Sequence, residues 1–231
     1  MDSIQLTDTS TPTPPFIDPP FQFNAAGIAQ FAPELTGYRL LSAMAHRLGW
    51  PSVSNRKILD YGCGIRFART IANLDLDVAL YAGVDVNPQS IQWFQENLKD
   101  SRFKFDYIDD QNPMYNPTGQ LNVDFTPLES YAQFRFDVAC MFSVITHQRP
   151  HEARRIFSIL RRIMDGAGKL YFTALLDRGV ADYQEGDEQV CVLSVYHPDY
   201  LVGLLAECGW AVERIYEPSQ FQQFALICHC V

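Results

Sequence analysis

The chain has 231 residues, of which 47% are hydrophobic, 13% aromatic and 19% charged. That length fits one domain with a core of its own, held without a disulfide or a structural metal. Eighteen Lys and Arg against 27 Asp and Glu give a formal charge of −9, which disfavours nucleic-acid backbones and anionic membranes as partners. Mean hydropathy is −0.11, and no apolar run reaches the roughly 18 residues that a spanning helix needs.

Arg39 is the first basic residue, so no basic-then-apolar leader pattern precedes it and a cytoplasmic setting is expected. The six cysteines (Cys63, Cys140, Cys191, Cys208, Cys228 and Cys230) are scattered through apolar segments without C-x-x-C spacing. Cys228-His229-Cys230 offers too few well-placed ligands for tetrahedral zinc, so no metal is expected.

Residues 1–36 hold five prolines before position 21, which predicts an extended arm ahead of a single domain over 37–231. Leu40, Leu41, Met44, Ala45 and Leu48 recur at helical spacing up to Gly49. Residues 57–62 read as a buried strand running into a glycine turn, 67–74 as a helix and 80–86 as a strand. Asn87-Pro88 is a helix start, an N-cap followed by proline at the first helical position, and the helix runs to about Lys99. Strands follow at 102–108 and 136–142, separated by residues 109–135, which show no periodicity and suggest a functional loop or insertion. A helix from Pro150 presents Ala153, Ile156, Phe157, Leu160, Ile163 and Met164 on one face, and 169–176 is the next strand. A helix at 198–208 precedes strands at about 210–216 and 221–230, an antiparallel pair because no helix joins them. Alternating strands and helices with strongly apolar strands predict an α/β fold, a parallel sheet with helices on both faces.

Asp60-Tyr61-Gly62-Cys63-Gly64-Ile65-Arg66 lies where the first strand becomes a helix, so glycine there lets the backbone approach a ligand beside free helix N–H groups. Asp85 ends the next strand, where an acid accepts from the ribose hydroxyls of an adenosine moiety. A dinucleotide site needs a third glycine at position 67, which is Phe67. The strand-end acid Asp60 points instead to S-adenosylmethionine, whose amino-acid end carries an ammonium.

The motifs GCGIRF (62–67), GVDVNPQSIQW (83–93), YNPTG (115–119) and Ser143-Val144-Ile145-Thr146-His147 occur in that order. With them the chain resembles the class I S-adenosylmethionine-dependent methyltransferases over about residues 37–231, in a subgroup with GCGIGR, YNPxG and SVFTH motifs. It departs from that subgroup at one point: the third glycine of the first motif is absent, either replaced by Arg66 or deleted so that Arg66 takes the place of the family's arginine.

The resemblance implies a Rossmann-like sheet of seven strands, mostly parallel with the last antiparallel. It implies that Asp60, Gly62, Cys63, Gly64 and Arg66 surround the methionine end of S-adenosylmethionine. Asp85 then holds the ribose, Val86 packs near the adenine, Asp109 or Asp110 accepts from the adenine amino group, and Phe142 and Ser143 line the cofactor. His147 is the first candidate for a general base, with His197 and His151 behind it. Arg154, Arg155, Arg161 and Arg162 form a basic helix side, and Tyr38, Tyr115, Tyr196 and Trp50 are aromatic candidates for an acceptor pocket. The loop at 112–117 is expected to wall or cover the site. The implied activity is methyl transfer to a hydroxyl or amine of a small molecule, in natural-product or glycan biosynthesis, by a monomer or homodimer. The alternatives are a cofactor-binding protein without transferase activity and a nicotinamide-dependent oxidoreductase.

Overall fold

The computed structural model describes residues 16–20, 33–121, 123–186, 192–218 and 222–231. Most of the predicted arm, Cys191 and the first residue of the last expected strand lie outside the described residues.

Five parallel strands form the body of the sheet: β1 (Lys57–Tyr61), β2 (Leu80–Asp85), β3 (Phe103–Tyr107), β4 (Val138–Met141) and β5 (Lys169–Leu176), in the order β3-β2-β1-β4-β5. A short pair, β6 (Tyr183–Gly186) and β7 (Leu193–Tyr196), is antiparallel within itself and joins the end of β5 at Leu175 and Leu176. The last two strands are β8 (Trp210–Tyr216) and β9 (Phe224–Cys230). β9 runs antiparallel between β5 and β8. The main sheet therefore has the seven expected strands with the last one reversed, the Rossmann-like arrangement that the resemblance implies. The β6–β7 pair is an addition that the sequence pattern does not announce.

Side chains alternate across this sheet with period two, and each face has its own core. Ile58, Tyr81, Val138, Cys140, Tyr171 and Ile227 pack under α1 (Pro33–Arg47), α2 (Arg66–Asn73) and α3 (Pro88–Asn97). Leu59, Ala139, Leu170, Phe172 and Leu226 pack under α4 (Pro150–Ile163) and α5 (Pro198–Glu207). Helix α1 starts at Pro33, several residues before the first periodic leucine. The stretch expected to lack structure carries a 3-10 helix at Thr126–Phe134, which buries Leu128 and Tyr131 against the α4 side. Of the arm, Ile17 is buried and its backbone N–H and carbonyl both pair with the Asn73 side-chain amide, at 2.8 and 2.9 Å. Arg69 ties this segment to α1 by binding Asp18 and Glu34 together.

Candidate cofactor site at the carboxyl edge of the sheet

Because β1, β2, β4 and β5 are parallel, the residues that follow them share one edge, where open α/β sheets bind ligands. Gly62 and Gly64 have φ of +74° and +49°, values that L side chains rarely adopt. A Cβ on Gly62 would lie 2.5 Å from Val144 Cγ2, so the turn after β1 and the segment after β4 touch here. A Cβ on Gly64 would meet nothing within 4 Å among the described residues, so among them the tip of the turn faces open space. Ile65 is the N-cap position of α2 and Arg66 its first residue. Arg66 therefore does not crowd the tip of the turn at Gly64.

Asp85 binds this turn directly. One carboxylate oxygen accepts from the Gly64 N–H and the other from the Asn87 N–H, both at 2.8 Å. Burial pushes its pKa up, opposed by the backbone N–H groups of Gly64, Asn87 and Val86. Asn87 in turn caps α3, accepting from Gln89 and Ser90, so one acid fixes the glycine turn and the next helix start together.

Asp60 lies deeper, 2% exposed, and accepts from the Tyr81 hydroxyl at 2.6 Å and the Cys140 thiol at 3.6 Å. Burial drives its pKa up to about 7, against the lowering effect of these two donors and of Arg66, with Asp85 adding a little repulsion. The Cys63 and Cys140 thiols are likewise pushed far up by burial, so neither is a ready nucleophile. The half-buried Phe142 stands edge-on to Phe67 at 4.8 Å and near Tyr171 at 5.4 Å.

Ser143 is exposed with φ of +58°. Its N–H donates to Thr173 Oγ1, while its hydroxyl meets both ends of the Gln223 amide at 3.0–3.1 Å, and Thr173 also donates to Gln223 at 2.6 Å. The sequence reading passed over Thr173, Gln223 and Tyr81. Strand parity puts Tyr81 on the face of Asp60, but nothing local marks Gln223, which enters from the β8–β9 connection.

The two histidines differ in kind. His147 Nδ1 lies 2.7 Å from the Val192 carbonyl; a carbonyl only accepts, so Nδ1 carries the proton and Nε2 of the neutral ring keeps its lone pair. His197 Nδ1 accepts from the Asp199 N–H as the N-cap of α5, which leaves Nε2 protonated. His147 follows Val144, which abuts Gly62. His151 is an exposed neighbour of Glu152.

Asp109 and Asp110 both face structural partners. Asp109 accepts from Tyr107 at 2.6 Å, Gln120 at 2.8 Å and Asn116 at 3.3 Å, and the Tyr107 hydroxyl above all holds its pKa down. Asp110 sits 3.6 Å from Arg155, with burial pushing its pKa up against that cation. The YNPTG segment folds around buried Asn116, whose amide donates to the Tyr107 hydroxyl at 2.8 Å and the Asp110 carbonyl at 3.0 Å. Gly119 lies under that amide, where a Cβ would fall 2.2 Å from Asn116 Nδ2.

The basic side of α4 is engaged as a seam. Arg154 pairs with Glu207, Arg162 with Glu129, and Arg161 binds the Gly209 and Val231 carbonyls. The four aromatic candidates have separate surroundings: Tyr196 is fully buried, Trp50 lies under Arg56, and Tyr38 and Tyr115 are exposed. A shallow cavity of about 410 Å³ between Ala132, Arg135 and the turn 162–167 opens at the opposite edge of the sheet.

Residues 59–172 match the methyltransferase domain family. That stretch runs from β1 to β5 and includes the glycine turn, Asp85 and His147. Among solved structures, the chain resembles Burkholderia thailandensis 1,6-didemethyltoxoflavin-N1-methyltransferase with bound 1,6-didemethyltoxoflavin and S-adenosylhomocysteine. That likeness has a TM-score of 0.55 at 14% identity, over 87% of this chain and 80% of that one. A glycopeptide N-methyltransferase complexed with sinefungin gives a TM-score of 0.55 at 13% identity, over 84% and 94%. Synechocystis magnesium protoporphyrin IX methyltransferase gives 0.54 at 15% identity, over 91% and 89%. At these identities the likeness is one of fold. Among the described residues no helix is long and apolar enough to cross a membrane.

Proposed function

We propose that the chain is an S-adenosylmethionine-dependent methyltransferase acting on a hydroxyl or amine of a small molecule. The observation that carries this reading is the Asp85 carboxylate, which closes β2 at the ligand-binding edge and is fixed by the Gly64 and Asn87 N–H groups. An acid so held has lone pairs left for two vicinal ribose hydroxyls, and the open space at Gly64 leaves room beside it. The matched methyltransferase domain and relatives whose structures contain S-adenosylhomocysteine or sinefungin support the same cofactor.

Asp85 would hold the ribose, with Val86 beside it, and Gly62, Cys63, Gly64, Asp60 and Arg66 would surround the methionine end. S-adenosylmethionine supplies a methyl on a sulfonium, an excellent leaving group. The chain's own residues therefore mainly align the acceptor and keep water out. A hydroxyl acceptor also needs its proton removed, and His147, with Nδ1 donating to a carbonyl and Nε2 free to accept, suits that task better than His197. Ser143 and Gln223 present neutral hydrogen-bonding groups on the same edge, suited to an uncharged polar acceptor. Natural products and glycans are acceptors of that chemistry.

Titration calorimetry with S-adenosylhomocysteine tests the cofactor. Binding by the native protein, weakened about tenfold or more in D85A, is expected. No heat with the native protein at millimolar ligand would sink the reading. Release of S-adenosylhomocysteine from S-adenosylmethionine in the presence of candidate amines and phenols then tests transfer.

A further inference from the structure

The β6–β7 hairpin stands outside the main sheet and pairs with β5 at Leu175 and Leu176, beside the edge where the site lies. It is braced within itself. Tyr183 and Tyr196 face each other across it with ring centroids 5.2 Å apart, and the Tyr183 hydroxyl meets that of buried Ser194 at 3.1 Å. From this body three contacts reach three successive residues of the segment between β4 and α4. The Val192 carbonyl, just before β7, accepts from His147 Nδ1 at 2.7 Å. The Tyr196 hydroxyl donates to the Gln148 carbonyl. Glu185, on β6, meets the Arg149 guanidinium with both carboxylate oxygens, at 2.9 and 3.4 Å. Arg149 is also the N-cap of α4, and its N–H donates to Glu152 at 2.6 Å, so a helix start anchors the far end of the segment.

The first contact acts on the chemistry of a ring. A carbonyl has no proton to give, so it selects the tautomer with the proton on Nδ1 and the lone pair on Nε2. Nδ1 and that carbonyl belong to separate elements, and their bond weakens steeply with added distance or tilt. It therefore survives only while the hairpin and residues 147–149 keep their spacing. The Tyr196 and Glu185 contacts hold that spacing, one to each of the two residues that follow the histidine.

We propose that the β6–β7 hairpin serves the catalytic centre, with Tyr196 and Glu185 as positioning residues. By holding Gln148 and Arg149 they keep His147 Nδ1 on the Val192 carbonyl and its Nε2 lone pair available to a substrate hydroxyl. This rests on the reading of His147 as the base.

Ring 15N spectra at pH ~8, above the ordinary histidine range, read the tautomer without any ligand. The His147 signals are assigned by their absence from H147Q. In the native protein the Nδ1–H form is expected to exceed the Nε2–H form by about tenfold or more. Y196F and E185Q are each expected to move that ratio about 3- to 10-fold toward Nε2–H, the worth of one hydrogen bond. E185Q alters an exposed ion pair, so its melting temperature is expected to stay near the native value. With a phenol as acceptor, kcat of both variants is expected to fall by the factor the spectra give, with KM for S-adenosylmethionine unchanged. Lower melting temperatures with an unmoved tautomer would make the clasp merely structural and overturn the proposal, as would a native ring protonated at Nε2. Native turnover of a phenol by H147A overturns the base reading whatever the spectra show. An unmoved tautomer in both variants, with H147A inactive, overturns the role of the hairpin alone.

Discussion

Asp60 is a carboxyl group whose ionisation the fold resists. Burial lifts its pKa to about 7, roughly three pH units above an ordinary aspartate, which corresponds to about 4 kcal/mol at 1.36 kcal/mol per unit. The sign follows from the raised value. The stability due to the protonated form is whole below pH ~4, where both folded and unfolded chains are neutral at this site. It is lost progressively up to pH ~7, as the unfolded chain sheds its proton and the folded one does not. D60N keeps an acceptor for Tyr81 without a charge, so its stability lacks this loss. Guanidinium unfolding of native protein and D60N at pH 4.5 to 8 is the assay. The difference in unfolding free energy is expected to grow in favour of D60N with pH, by up to about 4 kcal/mol, and to level off above pH ~7. The groups facing Asp60, namely Tyr81, Cys140, Cys63, Asp85 and Arg66, are shared by both proteins and largely cancel. Parallel curves for the two proteins would refute the reasoning.

Gly62→Ala is expected to destabilise by about 1–3 kcal/mol and lower the thermal midpoint, since it sets a Cβ at positive φ against Val144. Asn116→Ala removes the hub of the 109–120 loop; faster amide hydrogen exchange confined to that loop is expected, with little change at β1 or β4. Exchange that rises uniformly across the sheet would contradict this. His197→Ala is expected to cost about 1 kcal/mol of stability through the lost α5 cap, whereas His147→Ala should lower turnover on a hydroxyl acceptor far more than it lowers the melting point.

Most of the main strands were legible because β1, β2, β4, β5 and β9 are apolar runs too short for a buried helix, while β3 alternates. The β6–β7 pair was not, since Tyr183-Gln184-Glu185-Gly186 has no strand pattern and is ordered by its partner Leu193–Tyr196. The 3-10 helix at Thr126–Phe134 escaped for a similar reason: its two buried residues, Leu128 and Tyr131, are too few to set a period. Within the site, Asp85 and the glycines were readable as residues that a turn and a strand end require. The tasks of Asp109 and Asn116 were not, because they depend on a loop folding back on itself over Gly119. Arg66 was readable as part of the glycine turn, whereas the absence of a hydrogen-bond partner for its buried Nε among the described residues is a property of three dimensions.

The reversed strand β9 has a consequence for how the protein is made. It fills a slot between β5 and β8, and its pairing with β5 joins residues as far apart as Lys169 and His229. While a ribosome is still adding residues 224–230, β5 has its β4 neighbour on one side and an unpaired row of amides and carbonyls on the other, with Tyr171 and Phe172 alongside. Such an edge invites pairing with another chain, so the nascent protein passes through an aggregation-prone stage that ends when β9 inserts. Slow synthesis of the last strand, or its loss, would therefore show first as insoluble protein.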